Sequence, residues 1–418
     1  MACQMMGILS FLFIFAVIVI VHEYGHFALA KKSGILVREF AIGMGPKIFS
    51  HQGKDGTLYT IRILPFGGYV RMAGWGEDRV EIPKGSLVAL SLNAEGVVTR
   101  LNLSKKELDH QAVPLQVLDY DLEEGLVIKG LLMDEEVTYS VDHDATIVEK
   151  DGTEVRIAPL DVQYQNASLL GRFLTNFAGP FNNFVLGVLA FSLLLFIQGG
   201  APNPNTNHVR VADGGALAQA GYQNEVSLEK IGDSPIEVYT DISPAIQEAT
   251  KKAKDGKVSV QVNQVTQEIQ LQEMDGTYRI GVLPALDTSL MAKLTGGFTM
   301  AAAAAGQIIT ALRNLIFNPD LNGLGGPVAI YQASSLAARD GWTSILQLLG
   351  FLSINIGIFN LVPIPALDGG KILLNIIEAV RRKPVKRETE TYLTLIGTGL
   401  MLLLMIAVTW NDIVRTFF

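Results

Sequence analysis

The stretch AVIVIVHEYGHFALAKK, residues 16–32, places two histidines and a glutamate at the end of a long apolar run. Residues 1–21 carry no charge, and the run is long enough for a helix that crosses a bilayer core, which takes about 20 residues. Ionisable side chains are costly in hydrocarbon and usually mark a functional site there. We therefore expect a transmembrane helix over 5–30, with a function for His22, Glu23 and His26.

A cleaved signal peptide is the alternative for this segment. However, MACQMM lacks the basic region that precedes the apolar run of a signal peptide, and Lys31 and Lys32 follow the run instead. The pattern favours a helix that is retained.

Three further stretches predict membrane spans, because each lacks charge over a sufficient length: 176–198, 343–367 and 391–411. Basic residues follow the first span, precede the second at Arg172, and form the cluster RRKPVKR (381–387) between the third and fourth. By the positive-inside rule these regions are cytoplasmic, so both termini lie outside the cell. The segment 290–317 is uncharged over 294–312 but rich in Ala, Gly and Thr, and it is expected to be an interfacial or packed helix, since a fifth span would move RRKPVKR outside.

Two segments between the spans predict soluble units. Residues 77–165 contain 19 acidic and 8 basic residues in short apolar runs, which indicates a cytoplasmic β-rich insert and argues against nucleic-acid binding. Residues 203–285 resemble a PDZ domain, with GALAQAG in the place of its small-residue helix, and are expected outside the cell. Such α+β domains bind extended peptides at a sheet edge.

Residues 56–74, GTLYTIRILPFGGYVRMAG, predict a β-hairpin with a Gly-rich turn. The segment is unusually apolar, and non-helical backbone at membrane depth must be buried in protein or line a cavity. We expect a membrane-embedded hairpin between helices; a hairpin in the core of the soluble insert is the alternative.

The spacing of His22 and His26 predicts a metal site. Residues four apart lie on one face of a helix, so both imidazoles can reach one ion, and Glu23 can lie beside a water that the ion activates. Zn²⁺ with three protein ligands lowers the pKa of such a water towards about 7, and a glutamate can then act as general base. The chemistry that this pattern indicates is amide hydrolysis.

The third ligand is expected from the third span, which continues into NLVPIPALDGG. Asp368 lies three residues before Lys371, and His26 lies five before Lys31, so both groups are expected near the cytoplasmic side of the bilayer. Pro363 and Pro365 break helical geometry at that depth. The break could hold an extended peptide, to which Asn355 and Asn360 would offer side-chain amides; the alternative is that the prolines simply end the helix.

Together, HEYGH, FGGYV, NFAGPFNN, the PDZ-like segment and NLVPIPALDGG resemble the bacterial branch of the site-2 protease family of intramembrane zinc metalloproteases. The resemblance covers nearly the whole chain. It implies one Zn²⁺ held by His22, His26 and Asp368, with Glu23 as catalytic base. It also implies a substrate-binding hairpin around Gly67, Gly68 and Tyr69.

By the same resemblance, the substrates are single-pass membrane proteins already trimmed outside, such as anti-sigma factors, and remnant signal peptides. The expected fold is therefore an α-helical membrane protein with four spans, a membrane-embedded hairpin, a β-rich insert and one PDZ-like domain. Two alternatives stay open: a catalytically silent scaffold that binds membrane helices, and a zinc transporter. The single cysteine, Cys3, excludes a thiolate metal cluster within one chain.

Overall fold

The computed structural model describes residues 2–74, 81–104, 112–150, 152–252, 256–274, 276–317 and 325–417. Short parts of the expected insert (77–80, 105–111 and 151) and of the expected PDZ-like segment (253–255 and 275) therefore lie outside the described residues. The chain divides into two compact units, one of residues 1–187 and 301–418 and the other of residues 188–300.

The α-helices are α1 (Ala2–Lys32), α2 (Leu169–Ile197), α3 (Ala216–Gln219), α4 (Ile242–Lys252), α5 (Leu290–Phe317), α6 (Pro327–Asp340), α7 (Trp342–Leu361), α8 (Asp368–Arg381) and α9 (Arg387–Phe417). The strands up to residue 156 are β1 (Val37–Gln52), β2 (Leu58–Met72), β3 (Leu87–Leu92), β4 (Val98–Asn102), β5 (Val113–Asp121), β6 (Val127–Leu132), β7 (Glu135–Val148) and β8 (Glu154–Arg156). The later strands are β9 (Ala201–Asn203), β10 (His208–Val211), β11 (Glu225–Ile231), β12 (Ser234–Pro235), β13 (Lys257–Val262), β14 (Val265–Gln270), β15 (Gln272–Met274), β16 (Thr277–Arg279) and β17 (Val282–Asp287).

Five of the described helices, α1, α2, α5, α7 and α9, are long and apolar enough to cross a membrane. This is one more than the four spans expected from the sequence, and the additional helix, α5, is the least apolar of the five. A multi-pass membrane protein fits this composition.

All four predicted spans differ in length from their sequence-based bounds: α1 and α9 extend beyond 5–30 and 391–411 at both ends, and α2 and α7 differ for local reasons. α2 begins at Leu169 instead of 176, because the Ser168 hydroxyl accepts a hydrogen bond from Gly171 N–H (3.0 Å) and so caps a helix start that carries Arg172. α7 ends at Leu361 instead of 367, since Pro363 and Pro365 cannot donate backbone hydrogen bonds. The segment 362–367 is therefore non-helical, and α8 begins at Asp368.

The hairpin is larger than the expected 56–74. Gly34, at φ +76°, ends α1, and the chain then enters β1, which β2 follows after a turn at 53–57. The first half of β1 (37–42) pairs on one side with 68–72 and on the other with 58–61, while its second half pairs with 58–64. The result is a sheet of four strand segments, in the order 68–72, 37–42, 58–64 and 44–52, with 68–72 as one edge strand. The sequence pattern did not predict β1, because this strand is defined by its pairing with β2, which local residue types do not reveal.

The insert is a small β-barrel. Its strands follow the order β4-β3-β5-β6-β7-β8, and a parallel pairing of β4 with β7 closes the ring. The interior is apolar, with Leu90, Leu101, Leu115 and Ile128 fully buried. Among the described strands of this acidic domain, closure leaves β3, β4, β5, β6 and β7 each paired on both sides.

The second unit contains an antiparallel sheet in the order β14-β13-β11-β10-β17-β9 and a two-stranded sheet of β15 and β16. The short helix α3, whose sequence lies within GALAQAG, and the amphipathic α4 contribute Leu217 and Ile246 to its core. The unit is thus α+β with its own hydrophobic core.

Candidate metal centre and its surroundings

His22, His26 and Asp368 meet at one point in the first unit. The two Nε2 atoms are 3.2 Å apart, and Asp368 Oδ2 lies 3.2 Å from each of them. Both histidines are buried on α1, and Asp368 is the first residue of α8. Among the described residues, they are the group of three whose ligand atoms could hold a metal ion.

The triangle has the dimensions of a zinc site. A tetrahedral ion with bonds of about 2.0–2.1 Å to nitrogen and oxygen separates neighbouring ligand atoms by about 3.3 Å, which is close to the three separations of 3.2 Å. Three protein ligands also leave the fourth position of a tetrahedron for a reactant.

The protonation of His26 independently favours a cation at this point. His26 Nδ1 lies 2.7 Å from the backbone oxygen of Thr175, which can only accept, so Nδ1 carries a proton. In neutral His26, Nε2 is then a bare acceptor facing Asp368 Oδ2, a buried oxygen without a hydrogen-bond partner in the described part of the chain. Two acceptors at this separation repel each other unless a positive charge lies between them, either a metal ion or a second proton on the imidazole.

Asn183 on α2 contacts Nδ1 of His22, as the Thr175 carbonyl contacts Nδ1 of His26. Its Nδ2 donates to His22 Nδ1 (3.1 Å), and its Oδ1 is buried without a hydrogen-bond partner in the described ranges. A histidine that binds metal through Nε2 carries its proton on Nδ1 and needs an acceptor there. A half-turn of the same amide supplies that acceptor, so Asn183 can support the metal-binding tautomer.

Close helix packing holds α2 against this site. A Cβ added to Gly25 of α1 would overlap the backbone of Ala178, and one added to Gly179 would overlap the imidazole of His26. Asn182 Nδ2 also donates to the carbonyl of Val21 (3.0 Å). α2 therefore fixes the orientation of both imidazoles through backbone and amide groups.

Replacement of Gly179 by alanine is expected to displace the His26 ring and weaken zinc binding by at least about tenfold, the scale of losing an outer-shell partner. Gly399→Ala on α9 is the matched control, because no described atom lies within 4 Å of an added Cβ there. Chelator competition on the two purified variants measures the difference. Equal zinc affinity in both would contradict this role for Gly179.

Glu23 is half-buried and packs against the hairpin. A Cβ on Gly68 of β2 would lie 3.2 Å from Glu23 Cγ and 3.0 Å from Val19 Cγ1. The edge strand 68–72 thus runs beside Glu23. Among the described strands, 68–72 pairs only with β1, so its other edge is available for further pairing.

The remaining sequence-predicted residues lie in or near this region. Asn355 and Asn360 are half-buried on α7, and neither side-chain amide has a hydrogen-bond partner among the residues described. Pro363 and Pro365 lie in the non-helical segment that precedes Asp368.

Tyr69 has a structural contact within the hairpin. Its hydroxyl donates to Glu39 Oε2 (3.0 Å), while Glu39 Oε1 accepts from Thr60 Oγ1 (2.6 Å) and Arg62 Nη2 (2.7 Å). Burial, together with the Glu39 carboxylate, raises the pKa of Tyr69 to about 12, so the hydroxyl remains a donor. This network links the edge strand 68–72, through Glu39 of β1, to the first part of β2.

Sequence reasoning missed the supporting residues on α2. The only signal was a pair of asparagines beside Gly-Pro in an apolar run. The Thr175 contact uses a backbone carbonyl and leaves no trace in residue type.

Comparisons with known proteins place the chain among metalloproteases. The profile described as "Peptidase family M50" matches residues 10–404. A protein of Streptococcus pneumoniae R6 named as a zinc metalloprotease is 56% identical over 418 residues, covering 99% of this chain and all of the relative. A zinc metalloprotease by name from Lactococcus lactis is 48% identical over 422 residues, covering 98% and 99%. The protease eep of Enterococcus faecalis is 50% identical over 424 residues, covering 99% and 100%.

Proposed function

The chain belongs to peptidase family M50, the site-2 proteases, and we propose that it is an intramembrane endopeptidase that cleaves single-pass membrane proteins within or near the bilayer. It is a zinc metalloprotease, so the family resemblance is confirmed and Zn²⁺ is its cofactor. These comparisons give no support to the two alternatives, a catalytically inactive scaffold and a zinc transporter. The observation that carries the intramembrane proposal is the convergence of His22, His26 and Asp368 next to an apolar helix of spanning length.

In this proposal His22, His26 and Asp368 hold one zinc ion. Zinc bound there supplies a Lewis acid, which polarises the scissile carbonyl and lowers the pKa of a water. Glu23 accepts the proton of that water and returns it to the leaving amine. Thr175 holds His26 in the tautomer that leaves Nε2 available, and Asn183 would do the same for His22 once its amide is turned so that Oδ1 faces Nδ1.

The substrate must be unwound, because the carbonyls of a helix are hydrogen-bonded along its own axis. The edge strand 68–72 offers a template for an extended segment directly beside Glu23. The amides of Asn355 and Asn360, with the helix break at Pro363 and Pro365, can hydrogen-bond the substrate main chain.

Gly68→Val is expected to impair substrate binding at the hairpin while leaving the metal site intact. An added side chain would meet Ala41 O, Val19 and Glu23, which forces the edge strand away from α1. We expect cleavage to fall at least about tenfold, the scale on which misplacement of a positioning group acts, while zinc stays bound because none of the three atoms nearest the added Cβ belongs to His22, His26 or Asp368. Wild-type cleavage by this variant would argue against substrate pairing at 68–72.

For the topology we retain four spans, with both termini outside and the active site near the cytoplasmic side. The basic cluster RRKPVKR supports this, because a span formed by α5 would move it outside. The barrel is then the cytoplasmic insert, and the second unit is an extracellular PDZ-like domain. By its position it would act as a size filter that excludes untrimmed ectodomains.

Quantitative membrane proteomics of cells with wild-type protein or Glu23→Gln tests the substrate class. We expect single-pass stubs without ectodomains, and signal-peptide remnants, to accumulate in the variant. A deletion of 203–285 should additionally allow untrimmed proteins to be cut. Identical stub populations in wild type and Glu23→Gln would contradict the proposed substrates.

A further inference from the structure

A buried ion pair lies away from the metal triangle and has no role in the chemistry described above. Arg172 Nη2 and Glu378 Oε2 are 2.8 Å apart, and the two residues are only 7% and 5% exposed. Glu378 Oε1 also accepts a hydrogen bond from Val385 N–H (2.8 Å), which closes the turn after α8. Burying two charges is expensive, so a pair of this kind is weak evidence for stability and calls for another explanation.

The two partners belong to the helices that build the site. Arg172 lies one turn before Thr175 on α2, the helix that also supplies Gly179 and Asn183 to the two histidines. Glu378 lies ten residues after Asp368 on α8, about 15 Å along the helix axis. The ion pair is thus a direct link between the helix that orients the histidines and the helix that carries the third ligand.

The start of α8 cannot fix the direction of the helix by itself. It follows a non-helical segment in which Ala366 adopts φ +95°, and it packs closely against that segment through Gly369, where an added Cβ would overlap the carbonyls of Leu361 and Val362. A helix that is fixed only at its first turn can still change its tilt. A second attachment ten residues away sets its direction and, with it, the position of the carboxylate at its start.

We propose that Arg172 and Glu378 are positioning residues, which hold α8 so that the Asp368 carboxylate lies at the correct distance from His22 and His26. The inference rests on the proposed function, since it assigns Asp368 to the metal. Both residues also line a cavity of about 810 Å³ between α2, α8 and the barrel. Side chains of similar size can therefore replace them without forcing the helices apart.

The test is the zinc dissociation constant of purified full-length protein in lipid nanodiscs, measured by competition with a chromogenic chelator. For Glu378→Gln, which removes the carboxylate that lies 2.8 Å from Arg172, we expect zinc binding about tenfold weaker than wild type. The double variant Arg172→Gln/Glu378→Gln restores a neutral hydrogen-bonding pair, so its zinc affinity should return towards wild type. This non-additive recovery would not follow from two independent effects.

Asp412→Asn is the matched control. Asp412 is another buried carboxylate, 1% exposed, whose Oδ2 accepts from Ala329 N–H (3.0 Å) and so ties α9 to the start of α6. Its replacement is expected to lower the melting temperature without changing zinc affinity. If Glu378→Gln behaves in the same way, the ion pair is only structural and the inference is overturned.

If Glu378→Gln does not fold, the zinc affinity of Arg172→Lys is measured instead. This variant keeps the charge but loses the planar fork of the guanidinium, so a smaller weakening of zinc binding is expected, and an unchanged affinity would overturn the inference. Failure of the proposed function itself has a different signature. In that case the wild-type protein would not bind one zinc ion per chain.

Discussion

Glu23→Gln is expected to abolish cleavage while the protein retains one zinc ion per chain. Glutamine keeps the size of the side chain but cannot accept a proton, and general-base catalysis contributes about 100-fold to 10,000-fold. The metal triangle does not include Glu23, so its geometry stays intact. Cleavage of a single-pass substrate and zinc content by mass spectrometry are measured on the same preparation.

Glu388→Gln, an exposed glutamate in the first turn of α9, is the matched control and should cleave like the wild type. Three outcomes would each contradict a different part of the mechanism. Undiminished cleavage by Glu23→Gln would remove Glu23 as base. Loss of zinc would make it a ligand. Loss of folding, seen as aggregation in size-exclusion chromatography, would give it a structural role.

Asp368→Ala is expected to have the second large effect, this time on the metal. Removing one of three ligands should weaken zinc binding by more than the roughly 10-fold to 100-fold that the loss of an outer-shell partner costs. The buried His22 and His26 would be left with a two-ligand site. We therefore expect purified Asp368→Ala to contain little zinc and to show no cleavage.

Asp340→Asn, at the exposed end of α6, is the control for the loss of a carboxylate. It should retain full zinc content. If Asp368→Ala also retained one zinc ion with wild-type affinity, the third ligand would have to come from elsewhere in the chain.

The parts of the site that were predictable from sequence depend on local or additive properties. His22 and His26 share a face because of the helical repeat, and the depth of Asp368 follows from counting residues to the nearest lysine. Both arguments need no knowledge of tertiary contacts. The structure brings these three side chains within 3.2 Å of one another.

The parts that sequence did not predict depend on contacts between distant segments. The pairing of β1 with 68–72 and the closure of the barrel by β4 and β7 are non-local. Asn183 lies 161 residues from its partner His22, and the entire second unit separates Arg172 from Glu378 along the chain. The early start of α2 is an exception, because Ser168 is a local N-cap signal, whereas Arg172 interrupts the uncharged run that predicts the span.

The location of the cut tests the central claim most directly. Purified protein and a pre-trimmed single-pass substrate are reconstituted into liposomes, and the products are mapped by mass spectrometry. The account predicts one or a few cuts inside the apolar span of the substrate, towards its cytoplasmic end, and none with Glu23→Gln. Cuts confined to the soluble flanks, or the same cuts with Glu23→Gln, would contradict an intramembrane protease built on His22, Glu23, His26 and Asp368.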